Sequence, residues 1–351
     1  IENIPTNPRF MYTALNSFTP ADTMSFFESL GVPLKTERGG RVFPQSDKAA
    51  DICGALKQRL HRLNVEILHE RAEHILTRDG CVYAVETNAG THGFDAVILA
   101  TGGASYPLTG STGDGYKMAV ELGHTIITPK PSLVPVECAE KWVSELMGLT
   151  LKNVLLTVCE EQSEKEVFCD QGELLITHFG LSGPLVLSAS SHMKGLPSKR
   201  YLMKIDLKPA LDFKTLDHRL QSDFAKYQNR DFVNALGDLL PAKLIPAVIR
   251  ESGIDSRKKV NVITREERHK LLETLKGFTL TAVRFRPIDE AIITSGGVKT
   301  SEISPKTLES KLVNGLYFAG EVIDVDAYTG GFNLQIAFST AHLAATSAAV
   351  E

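Results

Sequence analysis

Apolar and polar positions along the chain change their spacing several times. In residues 1–60 apolar positions recur at helical spacing between turns. Thr19-Pro20-Ala21-Asp22 sets a cap and an early proline ahead of Met24, Phe26, Phe27 and Leu30, and Gly31 closes the segment, which predicts a short amphipathic helix. After a Gly39-Gly40 turn and Arg41-Val42-Phe43-Pro44, a second helix is predicted from about 48 to 60. Between 65 and 100 the pattern turns to β. Residues 65–68, 72–76 and 81–85 alternate or run apolar, the last two joined by a hairpin turn at Arg78-Asp79-Gly80. Ala96-Val97-Ile98-Leu99-Ala100 is an uninterrupted apolar run and predicts a parallel strand buried on both faces.

Further strands are expected at 151–158, 166–169 and 174–176. Residues 212–275, rich in Leu, Lys, Arg and Glu, show helical periodicity at 216–227, 231–240 and 265–275, which predicts an inserted helical subdomain. Residues 278–286 return to alternation. Gly315-Leu316-Tyr317-Phe318-Ala319-Gly320 reads as a final core strand, and a last helix is expected from about 334 to 349.

Length and charge narrow the classes. A chain of 351 residues, 43% hydrophobic and 23% charged, has the composition of a globular protein of more than one domain. With Lys plus Arg at 38 against Asp plus Glu at 42, the net charge of -4 argues against a phosphate-neutralising surface, so no nucleic-acid partner is expected. No apolar run approaches the ~18 residues of a membrane helix, and the first residues lack a basic and apolar leader; no membrane partner and a cytoplasmic location are expected. The five cysteines are scattered without a C-x-x-C pair and read as reduced thiols. His69-Glu70 and His74 do not put two imidazoles one helical turn apart, so no metal site is assigned.

Candidate chemistry sits where two apolar strands run into small residues. One is Val97-Ile98-Leu99-Ala100-Thr101-Gly102-Gly103. The other is Leu316-Tyr317-Phe318-Ala319-Gly320-Glu321, followed by Asp324 and Thr329-Gly330-Gly331-Phe332-Asn333-Leu334-Gln335. Ligands of open α/β sheets sit beyond the carboxyl ends of strands, where glycine lets them approach the backbone. A helix opening at Gly330-Gly331 offers free N–H groups to an anion or an electron-rich ring edge, and Asp324 suits a ribityl or ribose hydroxyl. Ser111-Thr112-Gly113-Asp114-Gly115 lacks the Gly-Lys-Ser/Thr ending of a phosphate loop and reads as a ligand-proximal loop or a simple turn.

With Ala100-Thr101-Gly102-Gly103, Gly113-Asp114-Gly115 and the closing Gly320-Glu321-x-x-Asp324 segment, the chain resembles the two-dinucleotide-binding-domain flavoproteins. More narrowly it resembles the BaiN-like NAD(P)/FAD-dependent oxidoreductases, which include aminoacetone oxidase-like enzymes. Asn7-Pro8-Arg9-Phe10, Gly39-Gly40-Arg41-Val42-Phe43-Pro44, Ser46-Asp47-Lys48, Thr177-His178-Phe179-Gly180-Leu181-Ser182-Gly183-Pro184 and Thr294-Ser295-Gly296-Gly297-Val298 extend the likeness over most of the chain.

The resemblance implies an α/β fold: a Rossmann-like FAD/NAD(P)-binding domain with an inserted β-barrel-like domain and a small helical subdomain. The corresponding ranges are 1–125 and 309–351 for the FAD-binding domain, 126–210 for the barrel-like insert, 211–276 for the helical insert, and 277–308 for the insert's return strands. It assigns Ala100, Thr101, Gly102, Gly103, Gly320, Glu321 and Asp324 to FAD, with Gly113 and Asp114 in a flavin-proximal loop. Gly330, Gly331, Phe332, Asn333, Leu334 and Gln335 would lie near the isoalloxazine, and the backbone of Ala72 near adenine. The family opens with a strand–Gly-x-Gly-x-x-Gly–helix unit that does not occur in these 351 residues. An N-terminally truncated Rossmann-like domain is therefore expected, and Ala327 stands where the family often has glycine.

The expected function is an FAD-dependent oxidoreductase, reduced by NAD(P)H, acting on a small organic molecule by reduction of an enone-type C=C bond or by amine oxidation. His178 is a candidate proton donor beside the flavin, since imidazole exchanges protons near neutrality, or a structural histidine. Ser295, with Thr294, either presents a hydroxyl to the flavin or belongs to a glycine hairpin. The alternatives are an oxidase or hydroxylase with no nicotinamide partner, and a cofactor-free binding protein.

Overall fold

The capping signal at Thr19 is realised. In the computed structural model, which describes residues 1–37 and 39–349, a short α1 (Tyr12–Ser17) precedes α2 (Pro20–Ser29). The Thr19 hydroxyl oxygen accepts the Asp22 N–H while the Asp22 carboxylate accepts the Thr19 N–H at 2.8 Å, a reciprocal cap that fixes where α2 starts. β1 (Leu34–Thr36) and β2 (Val42–Pro44) pair antiparallel, and α3 (Ala49–Arg62) follows. Residues 65–68, expected as a strand, form none: they gain no ladder partner among the described residues, and Val65, Ile67 and Leu68 stay exposed. β3 (Ala72–Arg78), β4 (Cys81–Thr87) and β5 (Gly90–Gly93) make an antiparallel meander, turned at Asp79 (φ 52°) and Gly80 (φ 80°). The apolar run at 96–100 yields only β6 (Val97–Leu99), and Ile98 is 38% exposed. Burial on both faces is thus corrected: the face of β6 that carries Ile98 is left partly uncovered while Leu99 on the other face is buried, and among the described residues β6 is paired along one edge alone. α4 (Asp114–Glu121) and β7 (Ile126–Ser132) complete this stretch.

Residues 133–287 form a separate unit. Its strands are β8 (Val136–Cys138), β9 (Thr150–Glu160), β10 (Glu166–Ile176), β11 (Gly180–Ser182), β12 (Tyr201–Asp206) and β13 (Phe278–Phe285). They close a six-stranded barrel in the order β10-β11-β8-β13-β12-β9, which leaves no sheet edge unpaired. The two pieces predicted at 166–169 and 174–176 are one strand, interrupted by register shifts rather than by a turn. α5 (Pro184–Ser190) packs on β10, and α6 (Phe213–Lys226), α7 (Ile245–Ser252) and α8 (Arg265–Lys276) form the helical part. No helix forms over 231–240: only a 3-10 turn, Phe232–Asn234, appears. The reason is competition, since Phe232 N and Val233 N donate to Lys258 O (2.9 Å) and Ser256 O (3.1 Å) of a neighbouring segment. α7 escaped the periodicity because it is short and carries proline in its first turn, where proline is tolerated.

The chain then returns through β14 (Ile293–Val298), β15 (Leu316–Phe318) and α9 (Phe332–Ala348) to the first unit. β14 pairs antiparallel with β7, and β15 parallel with β6. Residues 126–132 and 293–298, expected within the insert, therefore belong to the first unit, because they are each other's ladder partners. Leu316, Tyr317 and Phe318, each 1% exposed or less, form the centre of that unit's core with Leu99, Val298 and Ile336. Among the described residues no helix is long and apolar enough to cross a membrane.

Candidate functional site

β6 and β15 run in register, Val97 beside Leu316 and Leu99 beside Phe318. Val97 N donates to Gly315 O (2.8 Å) and Ala319 N to Leu99 O (3.1 Å), so the pairing holds through both strands. Ala100-Thr101-Gly102-Gly103 and Ala319-Gly320-Glu321 consequently emerge side by side at the carboxyl edge, where open parallel sheets receive ligands. Ala100 and Thr101 are exposed there.

Two glycines permit this convergence. A Cβ on Gly115, in the first turn of α4, would collide with the Thr101 hydroxyl, and one on Gly103 with Glu321 Oε1 and the Thr294 side chain. Around Gly103, Thr294 N donates to Glu321 Oε1 (2.7 Å) and Ala104 N to Thr294 Oγ1 (2.8 Å), with Ser105 Oγ 3.4 Å from the same Glu321 oxygen. Glu321, expected to bind FAD, thus ties the end of β15 to the start of β14. Asp114 is held by its own chain as well: Arg71 reaches Oδ2 through Nε (3.1 Å) and Nη2 (2.6 Å), with Thr112 at 2.8 Å and Lys117 at 3.2 Å. The Thr112 hydroxyl and then Arg71 and Lys117 draw its pKa down to about 2, against the burial that opposes them. Arg71 precedes Ala72, so this pair ties the start of β3 to the Gly113-Asp114 turn.

Beyond β15 the chain lays down three carboxylates. Asp324 is 8% exposed, and Asn7 Nδ2 donates to its Oδ2 (2.9 Å) and to its carbonyl (2.7 Å). Burial raises the Asp324 pKa, and the Asp326 charge adds to the rise, while Asn7 opposes it. Asp326, 3% exposed, accepts from Ser295 Oγ (3.0 Å) and Ser132 Oγ (3.3 Å), and among the described residues no cation pairs with it. The hydroxyl of Ser295 is therefore anchored by a carboxylate that sequence reasoning missed, whose only available signal was its place two residues after Asp324.

The segment opening α9 is organised by its own amides. Asn333 Oδ1 accepts from Ala327 N (2.9 Å) and Nδ2 donates to Ala327 O (2.8 Å), closing the 327–333 loop. Gln335 Nε2 donates to Phe18 O (3.1 Å) and Ser339 Oγ (3.0 Å), and Oε1 accepts from Thr23 Oγ1 (3.0 Å). These side chains fix the helix start, whose N-cap, Gly331, supplies no capping side chain. Gly330 has φ 126°, and Phe332 and Leu334 are exposed. His178 lies in the other unit, exposed on the β10–β11 turn that Thr177 N closes on Gly180 O (2.8 Å), with the Phe179 ring edge-on at 5.0 Å.

The family model for the HI0933-like protein Rossmann domain matches residues 1–347. The 3-dehydro-bile acid delta(4,6)-reductase of Clostridium scindens is 31% identical over 345 residues, 98% of this chain and 83% of the relative. A ribosomal RNA dihydrouridine synthase of Haemophilus influenzae is 31% identical over 347 residues, 97% of this chain and 82% of the relative. The Escherichia coli K12 protein of the same name is 31% identical over 337 residues, 95% and 80% of the two chains.

Proposed function

The chain belongs to the HI0933-like Rossmann family, and from that premise we propose that it is an FAD-dependent reductase of carbon–carbon double bonds conjugated to a carbonyl, with NAD(P)H as reductant. The observation that carries this is the side-by-side emergence of the β6 and β15 ends, kept open by Gly103 and Gly115. Both kinds of relative support the bond type. A delta(4,6)-reductase saturates double bonds, and dihydrouridine is uridine with its ring double bond saturated beside a carbonyl. This favours enone-type reduction over amine oxidation.

Thr101, Gly102, Gly320 and Asp324 would hold the cofactor, with the α9 start at Gly330-Gly331 facing its ring. When bound, the flavin supplies hydride transfer between reductant and substrate. The protein's own contribution is orientation and charge. The Asp324 carboxylate can accept polyol hydroxyls, and the uncapped first turn of α9 offers N–H groups and the positive dipole end to an electron-rich ring edge. Ser295 keeps its proton directed at Asp326 Oδ1, which leaves its oxygen available only as an acceptor, and Asp326 acts as a positioning residue for it.

The test is direct. The 351-residue protein is incubated with FAD, desalted, and its visible spectrum recorded; retained flavin absorbance is expected. Anaerobic NADH or NADPH should then bleach it, and a conjugated ketone or a uridine-containing RNA should restore the colour. Flavin that neither nucleotide bleaches would favour an oxidase, and a folded protein that retains none would favour a cofactor-free binding protein.

A further inference from the structure

Tyr116 is the aromatic residue of the first turn of α4, and it is 8% exposed. Its hydroxyl is fully enclosed and, among the described residues, has no hydrogen-bond partner. A buried phenol without a partner costs on the order of 1–3 kcal/mol relative to its solvated state, so such a group calls for a ligand or a reason. Its surroundings supply one. The Tyr116 ring lies against Gly113, and Gly115 beside it presses on Thr101, so the residue belongs to the junction of α4 with the end of β6. Burial first, and then the charges of Glu321 and Asp324, push its pKa well above that of an ordinary phenol, so it stays a donor at any physiological pH.

The same surroundings discriminate between parts of a dinucleotide. A pyrophosphate brought to this junction would meet two carboxylates, Glu321 and Asp324, and be repelled. A neutral polyol chain would be welcome: its hydroxyls can donate to Asp324 and accept from the phenol. Resting on the flavin-binding reading above, we infer that the Tyr116 hydroxyl is a binding group for the polyol (ribityl) chain of the flavin.

Tyr116→Phe removes only the oxygen, and riboflavin, FMN, FAD and ADP serve as probes, titrated by fluorescence or calorimetry against wild type and variant. The three flavins share the ribityl chain and ADP lacks it. The expected result is a loss of about five- to tenfold in affinity for each flavin, the scale of one hydrogen bond, with ADP affinity unchanged. The ligand-free variant should melt at the same temperature as wild type or higher, because an unsatisfied buried hydroxyl has been removed. Equal flavin affinities would overturn the inference, as would a matching loss for ADP or a lower melting temperature, which reveals an internal partner for the hydroxyl. Failure of the flavin reading itself is separately visible: wild type would then bind none of the three flavins.

Discussion

Two buried titratable side chains make the residue scale the most directly testable. Asp324 has its pKa raised, chiefly by burial, so the ionised carboxylate is less favourable in the folded chain than in the unfolded one. Stability should therefore fall as pH rises from the ordinary carboxylate value through the raised one. Asp324→Asn removes that cost while leaving an oxygen for Asn7, so the ligand-free protein should melt a few °C higher at pH 7, on the scale of ~1 kcal/mol for a chain this size. Flavin affinity should drop in the same variant, and a lower melting temperature would show that the charge is compensated. His124 has the opposite sign. Ser310 Oγ accepts N–H bonds from Leu312 and Val313 (3.0 Å each), so it donates its own proton to His124 Nε2 at 2.8 Å and leaves Nδ1 as the protonated nitrogen. Nδ1 lies 3.3 Å from Glu302 Oε2 but off the line of a hydrogen bond. Burial lowers the pKa of His124, so the unfolded chain takes up the proton first. Its contribution is complete above about pH 6.5 and is lost as pH falls through the lowered folded value. Urea midpoints measured from pH 7.5 to 5 should decline, and His124→Asn should flatten that part of the slope.

At the scale of elements, the two strands at 97–99 and 316–318 and the last helix at 332–348 are legible for a simple reason: apolar runs followed by glycine have few alternative structures. The strand at 316–318 and the capped helix at 20–29 followed directly from their residues. Residues 65–68 misled because alternation describes a half-buried strand only when a partner supplies the ladder. Asp231 to Leu240 misled because backbone donors there bond across to 256–258 instead of along a helix. What no pattern announces is contact between elements, such as Gly115 of α4 against Thr101 after β6. Gly115→Ala should cost about 1–3 kcal/mol and weaken flavin retention, since the new methyl meets a β-branched side chain. Thr101→Ala alone is near neutral for the stability of the ligand-free protein, as Thr101 is exposed, and added to Gly115→Ala it should recover part of the stability loss. Recovery stays partial because Thr101 Cβ would still sit 3.0 Å from the added atom. Additive effects in this double-mutant cycle would mean that the two residues do not share the contact.

At the scale of the whole molecule, a helical insert was readable from the change of periodicity and the barrel-like insert was implied by the family resemblance, but the borders were not readable, because borders depend on which strands pair. In the first unit β7 and β14 are antiparallel neighbours, with Ser132 opposite Ile293. In the second, β8 and β13 are neighbours, with Val136 opposite Phe285, and Arg286 N donates to Pro135 O at 3.0 Å. The two ends of the 133–287 unit therefore lie next to each other, which is the geometry that lets a domain be inserted into a loop of another without disturbing either core. Its apolar residues form one contiguous cluster from Val136 to Ala282, drawn wholly from that unit, around a closed barrel with no open edge. Residues 133–287 expressed alone should accordingly unfold in a single cooperative transition by circular dichroism. They should retain no flavin, because every strand end and glycine assigned to the cofactor belongs to the first unit. A broad, non-cooperative melt would show that the barrel depends on the first unit for its stability, whereas flavin retained by the isolated barrel would move the cofactor site away from β6 and β15.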